Sequence, residues 1–563
     1  MELSCHVLSH WKARRSTLTS AIREYLSACA NLHTICTQTQ YGTQARQEVE
    51  GILQAVDAEL EGLKHEEEEL RKARSSLAAN RNSSKLLSPA HGPPPEVLAR
   101  IFIELKNQYS SYDCQGVLPY SDECWKVPPY TLSLTGVCSY WRQIAIKTPT
   151  LWTQVNLMTH STSYEYPNLL LERSKGLPVN LHIFHETSDS IITPHWAFLW
   201  STFIQAAGSQ IRTLEITCGN MSSIEPISSL LKDWLNLGAL RTTNRLCLSA
   251  LSDDYQVEQN LKLQSTGVHS DSLLRDLTTL HLTRVVIPWN NPAYHGLADL
   301  RLCFENDIKI KDYELVGILA ASPNLVTLQL YGLNAKRSAD WDHIPICPSN
   351  LETLCVGTSS VGSASTLLST ISLSGCSNDL SVGLHLPNPL KLTDQLENFF
   401  RDKRITTLSC SEFYGPENGF QWALSLSVVI PSLQNLLLPI TENEADCDWD
   451  EFPMVKPQGS INGSIASTGG SLRHLPHLFI AQCPARLDIL KSIVSAYSIQ
   501  TLHISTRTGW FGRSTDKPNT DELQEMRVAL LKEFPELECI VSSKDETESW
   551  PCRVDALWYQ QVL

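Results

Sequence analysis

None of the chain's 17 cysteines stands three residues from another, so neither a zinc ribbon nor a thioredoxin-type dithiol is signalled. Gly-x-Gly-x-x-Gly, Gly-x-x-x-x-Gly-Lys-Ser/Thr, His-Glu-x-x-His and Gly-x-Ser-x-Gly are all missing. Dinucleotide cradles, phosphate loops, zincin helices and nucleophile elbows thereby lose their local signatures. No run approaches the ~18 apolar residues of a membrane span. Met1 to Lys12 has no long apolar core, so no secretory leader is expected there. Basic stripes are also lacking, and the net charge of −15 argues against a general nucleic-acid surface. Reduced thiols in the cytoplasm or nucleus are the simplest account of the cysteines. Asn-x-Ser at Asn82, Asn220 and Asn462 then reads as chance.

What remains is an ordinary folded composition, 42% hydrophobic and 19% charged, over 563 residues. That length predicts two or three domains. Residues 1–42 are weakly patterned, with Leu18, Ile22, Tyr25 and Leu26 at helical spacing, and predict one short helix in a loose arm. From 43 to 80 the pattern sharpens. Val49, Val56, Leu63, Leu70 and Leu77 recur every seven residues, with Ile52 and Ala73 at the intermediate positions. Glu59 and Glu66 break that second column. A coiled coil between chains and an antiparallel hairpin with the preceding helix both fit. The Glu66–Glu69 run reads as a solvated face. Residues 81–92, with Asn-Arg-Asn-Ser-Ser and His-Gly-Pro-Pro, read as a linker.

Residues 93–157 carry the one pattern that implies a partner. Pro95 suits a helix's first position, and Glu96 meets the positive end of its dipole. Val97, Leu98, Ile101, Phe102 and Leu105 then form one apolar face at helical period. Leu134, Val137, Cys138, Trp141, Ile144 and Ala145 form a second, which Pro149 ends. Residues 106–130 between them read as a polar insert. Such short helices either pack on the rest of the chain or present a docking surface.

These residues resemble an F-box of the type found in mushroom-forming fungi. Pro94, Glu96-Val97-Leu98, Ile101-Phe102, Val137-Cys138, Trp141-Arg142, Pro149 and Leu151-Trp152 match its three segments in order. Pro93 replaces the usual leading Leu, and the insert is longer than a minimal box carries. The resemblance implies docking on a Skp-family adaptor, and through it a cullin, with Pro94, Val97, Leu98, Ile101, Phe102, Leu105, Leu134, Val137 and Trp141 as contacts. On that expectation, Leu98→Asp or Phe102→Asp abolishes adaptor binding and leaves the large domain folded. Trp141 suits core and docking equally, and Trp152 is expected to staple the box to the large domain.

Past the box, over 158–545, a short phrase recurs. Leu277-x-x-Leu280-x-Leu282, Leu297-x-x-Leu300-x-Leu302, Leu325-x-x-Leu328-x-Leu330 and Leu351-x-x-Leu354-x-Val356 share one template. So do the phrases centred on Leu214, Leu408, Leu436 and Leu502. From Leu280 to Leu354 the central leucines step by 20, 28 and 26 residues, within the ~20–29-residue period of leucine-rich repeats. A single such strand cannot hide its apolar face, so repeats must stack. The interval from Leu354 to Leu408 fits two repeats poorly. Residues 441–470, acidic and then Gly/Ser-rich, read as an inserted loop, and 546–563 as a tail. The fold expected is therefore α/β: an N-terminal helical region followed by a degenerate leucine-rich-repeat solenoid.

The resemblance implies a substrate-recognition subunit of a Skp–cullin–F-box ubiquitin ligase, holding a protein substrate of unknown identity, with no catalytic residue, cofactor or metal expected. A repeat scaffold unconnected to ubiquitin is the first alternative. A thiol-dependent hydrolase, needing a Cys beside a His, is the second. His182 and His185, and likewise His474 and His477, are three apart next to apparent strands. That spacing puts side chains on opposite faces, so surface or half-buried histidines are expected, not metal ligands. The carboxylates of Glu442 to Glu451 lack a calcium loop's spacing.

Overall fold

The structure, a computed structural model, describes residues 2–38, 45–83, 93–113, 129–159, 165–185, 194–219, 225–236, 243–250, 259–260, 274–338, 345–373, 379–386, 392–400, 404–411, 423, 430–439, 475–481, 487–505 and 520–542. The 441–470 insert, the 546–563 tail and His474 lie outside them. Two compact units divide the chain, Met1–Pro94 and Pro95–Leu563.

The first unit is two long helices, α1 (Glu2–Gln38) and α2 (Ala45–Ser83). The expected loose arm with one short helix is thus a 37-residue helix. No Pro or Gly interrupts it, so the backbone has no local reason to stop. α2 likewise runs on into the expected linker. The Tyr25 hydroxyl donates to Glu59 Oε1 at 2.8 Å. Tyr25 lies 13 residues before the end of α1 and Glu59 14 past the start of α2, so the pair forms an antiparallel hairpin. Glu61–Lys64, Glu68–Arg71 and Glu69–Lys72 pair along the α2 surface, as the solvated reading of the acidic run requires.

The second unit begins with α3 (Pro95–Asp113), α4 (Pro129–Val137) and α5 (Ser139–Lys147), followed by a 3₁₀ turn at Pro149–Trp152. α3 extends eight residues into the expected polar insert; 114–128 lies outside the described residues. The turn feeds the first strand directly. Strands then follow: β1 (Gln154–Met158), β2 (Val179–His185), β3 (Ile211–Cys218), β4 (Arg245–Ala250), β5 (Gln259–Asn260), β6 (Thr279–Thr283), β7 (Val285–Val286), β8 (Asp299–Lys311) and β9 (Thr327–Lys336). β10 (Thr353–Gly357), β11 (Leu380–His385), β12 (Ile405–Ser411), β13 (Asn435–Pro439), β14 (His477–Ala481), β15 (Thr501–Ser505) and β16 (Glu538–Ser542) complete the set.

Among the described residues, 14 of these strands make one parallel sheet in chain order, and β5 and β7 pair apart from it. The sheet is open, with β1 and β16 at its ends. Parallel neighbours need crossover connections. Helices supply several: α6 (Glu165–Ser174), α7 (Pro194–Ala207) and α8 (Glu225–Asn236), then Asp312–Ala321, Val361–Thr370, Thr393–Phe400, Leu487–Tyr497 and Thr520–Glu533.

Register shows why the leucines recur. Val155, Leu181, Leu214, Leu246, Leu280, Leu300, Leu328, Leu354, Val382, Leu408, Leu436, Leu478, Leu502 and Cys539 stand side by side, one per strand. All are buried, as is a second apolar row two residues on, from Leu157 to Ile504. Fully burying each Leu contributes about 1.5–3 kcal/mol, so the ladders are the main cohesion of the sheet. Val382 on β11 divides the awkward Leu354–Leu408 interval into steps of 28 and 26, each ending on a strand of the sheet. Pro323 follows the helix Asp312–Ala321 and precedes β9, as a helix stop should.

Candidate docking surfaces

The apolar residues of 94–141 divide into an inward row and an outward row. Leu98 and Phe102 on α3 and Leu134 on α4 are buried in the same core as the sheet ladders. Leu105 and Trp141 are half-buried against that core. Val97, Ile101 and Val137 face outward, at 47%, 44% and 50% exposure. Pro94 is exposed just before α3. Leu98→Asp or Phe102→Asp would therefore put a charge into the core shared with the sheet, so neither leaves the large domain intact, against the expectation from the sequence.

Local chemistry fixes these helices in place. Cys138 caps α5, its sulfur accepting from the Trp141 N–H at 3.4 Å. Arg142 Nε donates to the Thr135 carbonyl at 2.9 Å, holding α4 to α5. Trp152 is buried, and its indole N–H donates to the Ala145 carbonyl at 2.8 Å while the Arg173 guanidinium lies 4.4 Å over its ring. Arg173 belongs to α6, so Trp152 ties the helices α3 to α5 to the α/β layers. Lys106, expected to open a polar insert, reaches back instead. Its ammonium donates to the Thr150 carbonyl at 2.7 Å and to Thr153 Oγ1. Burial pushes its pKa down to about 8.

The second candidate is the sheet face opposite the leucine ladders, where most of the middle row is itself buried and Glu215, Arg301, His503 and Ile540 are half-buried. Between the two apolar rows, one residue per strand points the other way. Along β2 to β9 this row reads His182, Glu215, Cys247, His281, Arg301 and Gln329. Past the small Cys355, Gly383 and Ser409 it becomes Leu437, Phe479, His503 and Ile540. The face thus grades from polar and charged to apolar and aromatic, with Phe479 and His503 stacked at 4.4 Å.

At the charged end, Arg301 grips Asp299 through two nitrogens, at 2.9 and 3.0 Å, and His281 Nε2 approaches the same carboxylate at 3.1 Å. Burial works against the Asp299 charge, but its neighbours more than offset it, so its pKa lies below the usual carboxylate range. Burial pushes the His281 pKa down despite Asp299 beside it. His281 and Arg301 together hold the Asp299 carboxyl low. Cys247 stands in register beside His281 and accepts from Arg245 Nε at 3.4 Å.

His182 and His185 are buried, more so than the sequence led us to expect. His182 Nε2 lies 3.1 Å from Thr217 Oγ1, and His185 Nδ1 2.5 Å from Thr159 Oγ1, so threonines satisfy both rings. The His281–Asp299–Arg301 cluster was not singled out from the sequence. Its signal is there nonetheless: these residues flank Leu280, Leu300 and Leu302, so they share a face once those leucines are read as a strand.

The chain matches no protein-family model, no curated protein and no solved structure. Among the described residues no group of His, Cys, Asp and Glu is placed to hold a metal, and no helix is long and apolar enough to cross a membrane.

Proposed function

We propose that this chain is a substrate-recognition subunit of a Skp–cullin–F-box ubiquitin ligase, with its open sheet a degenerate leucine-rich-repeat solenoid. The observation that carries the reading is the outward row Val97, Ile101 and Val137. Three aliphatic side chains stay about half exposed on helices whose other faces are consumed by the core. A docked adaptor would cover that row and rest on the half-buried Leu105 and Trp141. Leu98, Phe102 and Leu134 then act from beneath, by holding the row in place.

The role is positioning rather than bond-making. The sheet face holds a protein substrate, and tethering raises the effective concentration of its lysines at a charged conjugating enzyme. On that face Glu215, Arg301, His503 and Ile540 are the half-buried members of the middle row, so they are the side chains a partner would reach. Unlike a point site, the face spreads recognition over many strands.

The test is co-purification with a Skp-family adaptor. Val97→Asp/Ile101→Asp and Val137→Asp are expected to abolish capture while the sheet stays folded. Capture by both variants at the wild-type level would remove the ligase assignment, leaving a repeat scaffold.

A further inference from the structure

The hairpin of the first unit leaves more apolar surface in water than two helices can cover. Among the described side chains of α1, Tyr25 alone is partly buried and the rest are exposed. Leu8, Trp11, Leu18, Ile22 and Leu32 fall on the two inner positions of one seven-residue repeat, and all five are exposed. On α2, Val56 and Leu63 are partly buried, whereas Leu60, Leu70 and Leu77 are exposed. A groove of about 450 Å³ runs beside Leu60 and Leu63, edged by Asp57, Glu61 and Glu67 with Lys64 among them.

We propose that this hairpin is a homodimerisation module, in which a second copy of the chain lays its α1 against this α2 and closes a four-helix bundle. Charge selects the occupant. α1 carries four basic residues (Lys12, Arg14, Arg15, Arg23) against two acidic, and α2 nine acidic against six basic. Each helix therefore asks for the opposite of itself. A second copy offers both complements at once across a two-fold axis, which an isologous interface requires. The basic, leucine-bearing α1 also matches a leucine-floored groove with acidic walls. Size agrees as well: helices of 37 and 39 residues are about 55 Å long, ample for the ~1,200 Å² of a specific interface.

The test is sedimentation of the full chain. A dimer is expected at about 10 μM, with Ile22→Asp/Leu60→Asp weakening it by about 100-fold or more. Because those changes also touch the hairpin itself, charge reversal in trans decides. Lys12→Glu/Arg15→Glu in one chain, and Glu66→Lys/Glu67→Lys in another, should each weaken self-association. Mixing the two should restore a dimer, since every contact between chains is then matched although neither hairpin is. A monomer at about 100 μM, or a dimer indifferent to all of these changes with no gain on mixing, overturns the proposal.

Discussion

The rings of Phe102 and Trp141 meet at 5.0 Å between centroids, tilted by 55°, and this contact joins α3 to α5. Phe102 is fully buried, so Phe102→Ala is expected to cost about 3–5 kcal/mol in urea unfolding. Val97→Asp, one turn away on the outward row, should stay within about 0.5 kcal/mol of wild type. Equal costs at the two positions would mean the outward row is packed after all.

The ladders set a second contrast. Leu328 is buried in register between Leu300 and Leu354, so Leu328→Ala is expected to cost about 2–5 kcal/mol. Its neighbour Thr327 faces the other way, and Thr327→Ala should cost little. Both are read from urea midpoints at constant m.

Gly332 tolerates a side chain poorly. Its φ is +65°, and a Cβ there would fall 1.9 Å from the Phe304 carbonyl oxygen, where the β8–β9 register jumps between Cys303 and Ile308. Gly332→Ala is expected to cost at least about 2 kcal/mol, from backbone strain and the clash together. Gly296, at φ +70°, has its nearest atom at 3.9 Å, so Gly296→Ala should pay only the conformational part, about 1 kcal/mol. Calorimetry of the pair separates the two effects.

Acid should act through His385. Its ring packs on Tyr331 at 5.1 Å across Gly357, and the Tyr331 hydroxyl lies 3.3 Å from Nε2. Burial pushes its pKa down to about 4. The unfolded chain, near 6.5, then binds the proton more readily, so the stability present above pH 6.5 is lost as pH falls through 4. The loss is on the order of 3 kcal/mol at ~1.4 kcal/mol per pKa unit. His385→Phe should flatten that part of the pH profile between pH 7 and 4, and an unchanged slope would exclude this histidine.

Much of the sheet was legible because the signal is short-range. In Leu-x-x-Leu-x-Leu the last two apolar residues fall on one face of a strand whatever surrounds them, and all eight phrases lie on strands of the sheet. β4 escaped because Thr243 stands where the leading Leu would be, bonding the Ile211 carbonyl at 2.7 Å instead. β11 escaped because Leu380-x-Val382-x-Leu384 alternates without that leading turn; β2 lacks the phrase too but was legible as an apparent strand beside His182 and His185. β14, legible as an apparent strand beside His477, also carries the phrase, as Leu475-x-x-Leu478-x-Ile480. α1 was underestimated because its apolar positions are diluted by polar ones, and only its unbroken backbone argues for such length.

The sequence alone determined that strands recur and which side of each is greasy, since alternation along a strand is a property of the backbone. It also determined that α3 has two adjacent apolar rows, Val97–Ile101 and Leu98–Phe102. It could not say which row turns inward: both satisfy the helical period, and they differ by about 100° of rotation. That choice belongs to residues far along the chain or on other helices. Trp141 closes on Phe102, and Lys106 reaches Thr150 and Thr153 on the turn before β1. Packing, not periodicity, thus left Val97 and Ile101 facing outward.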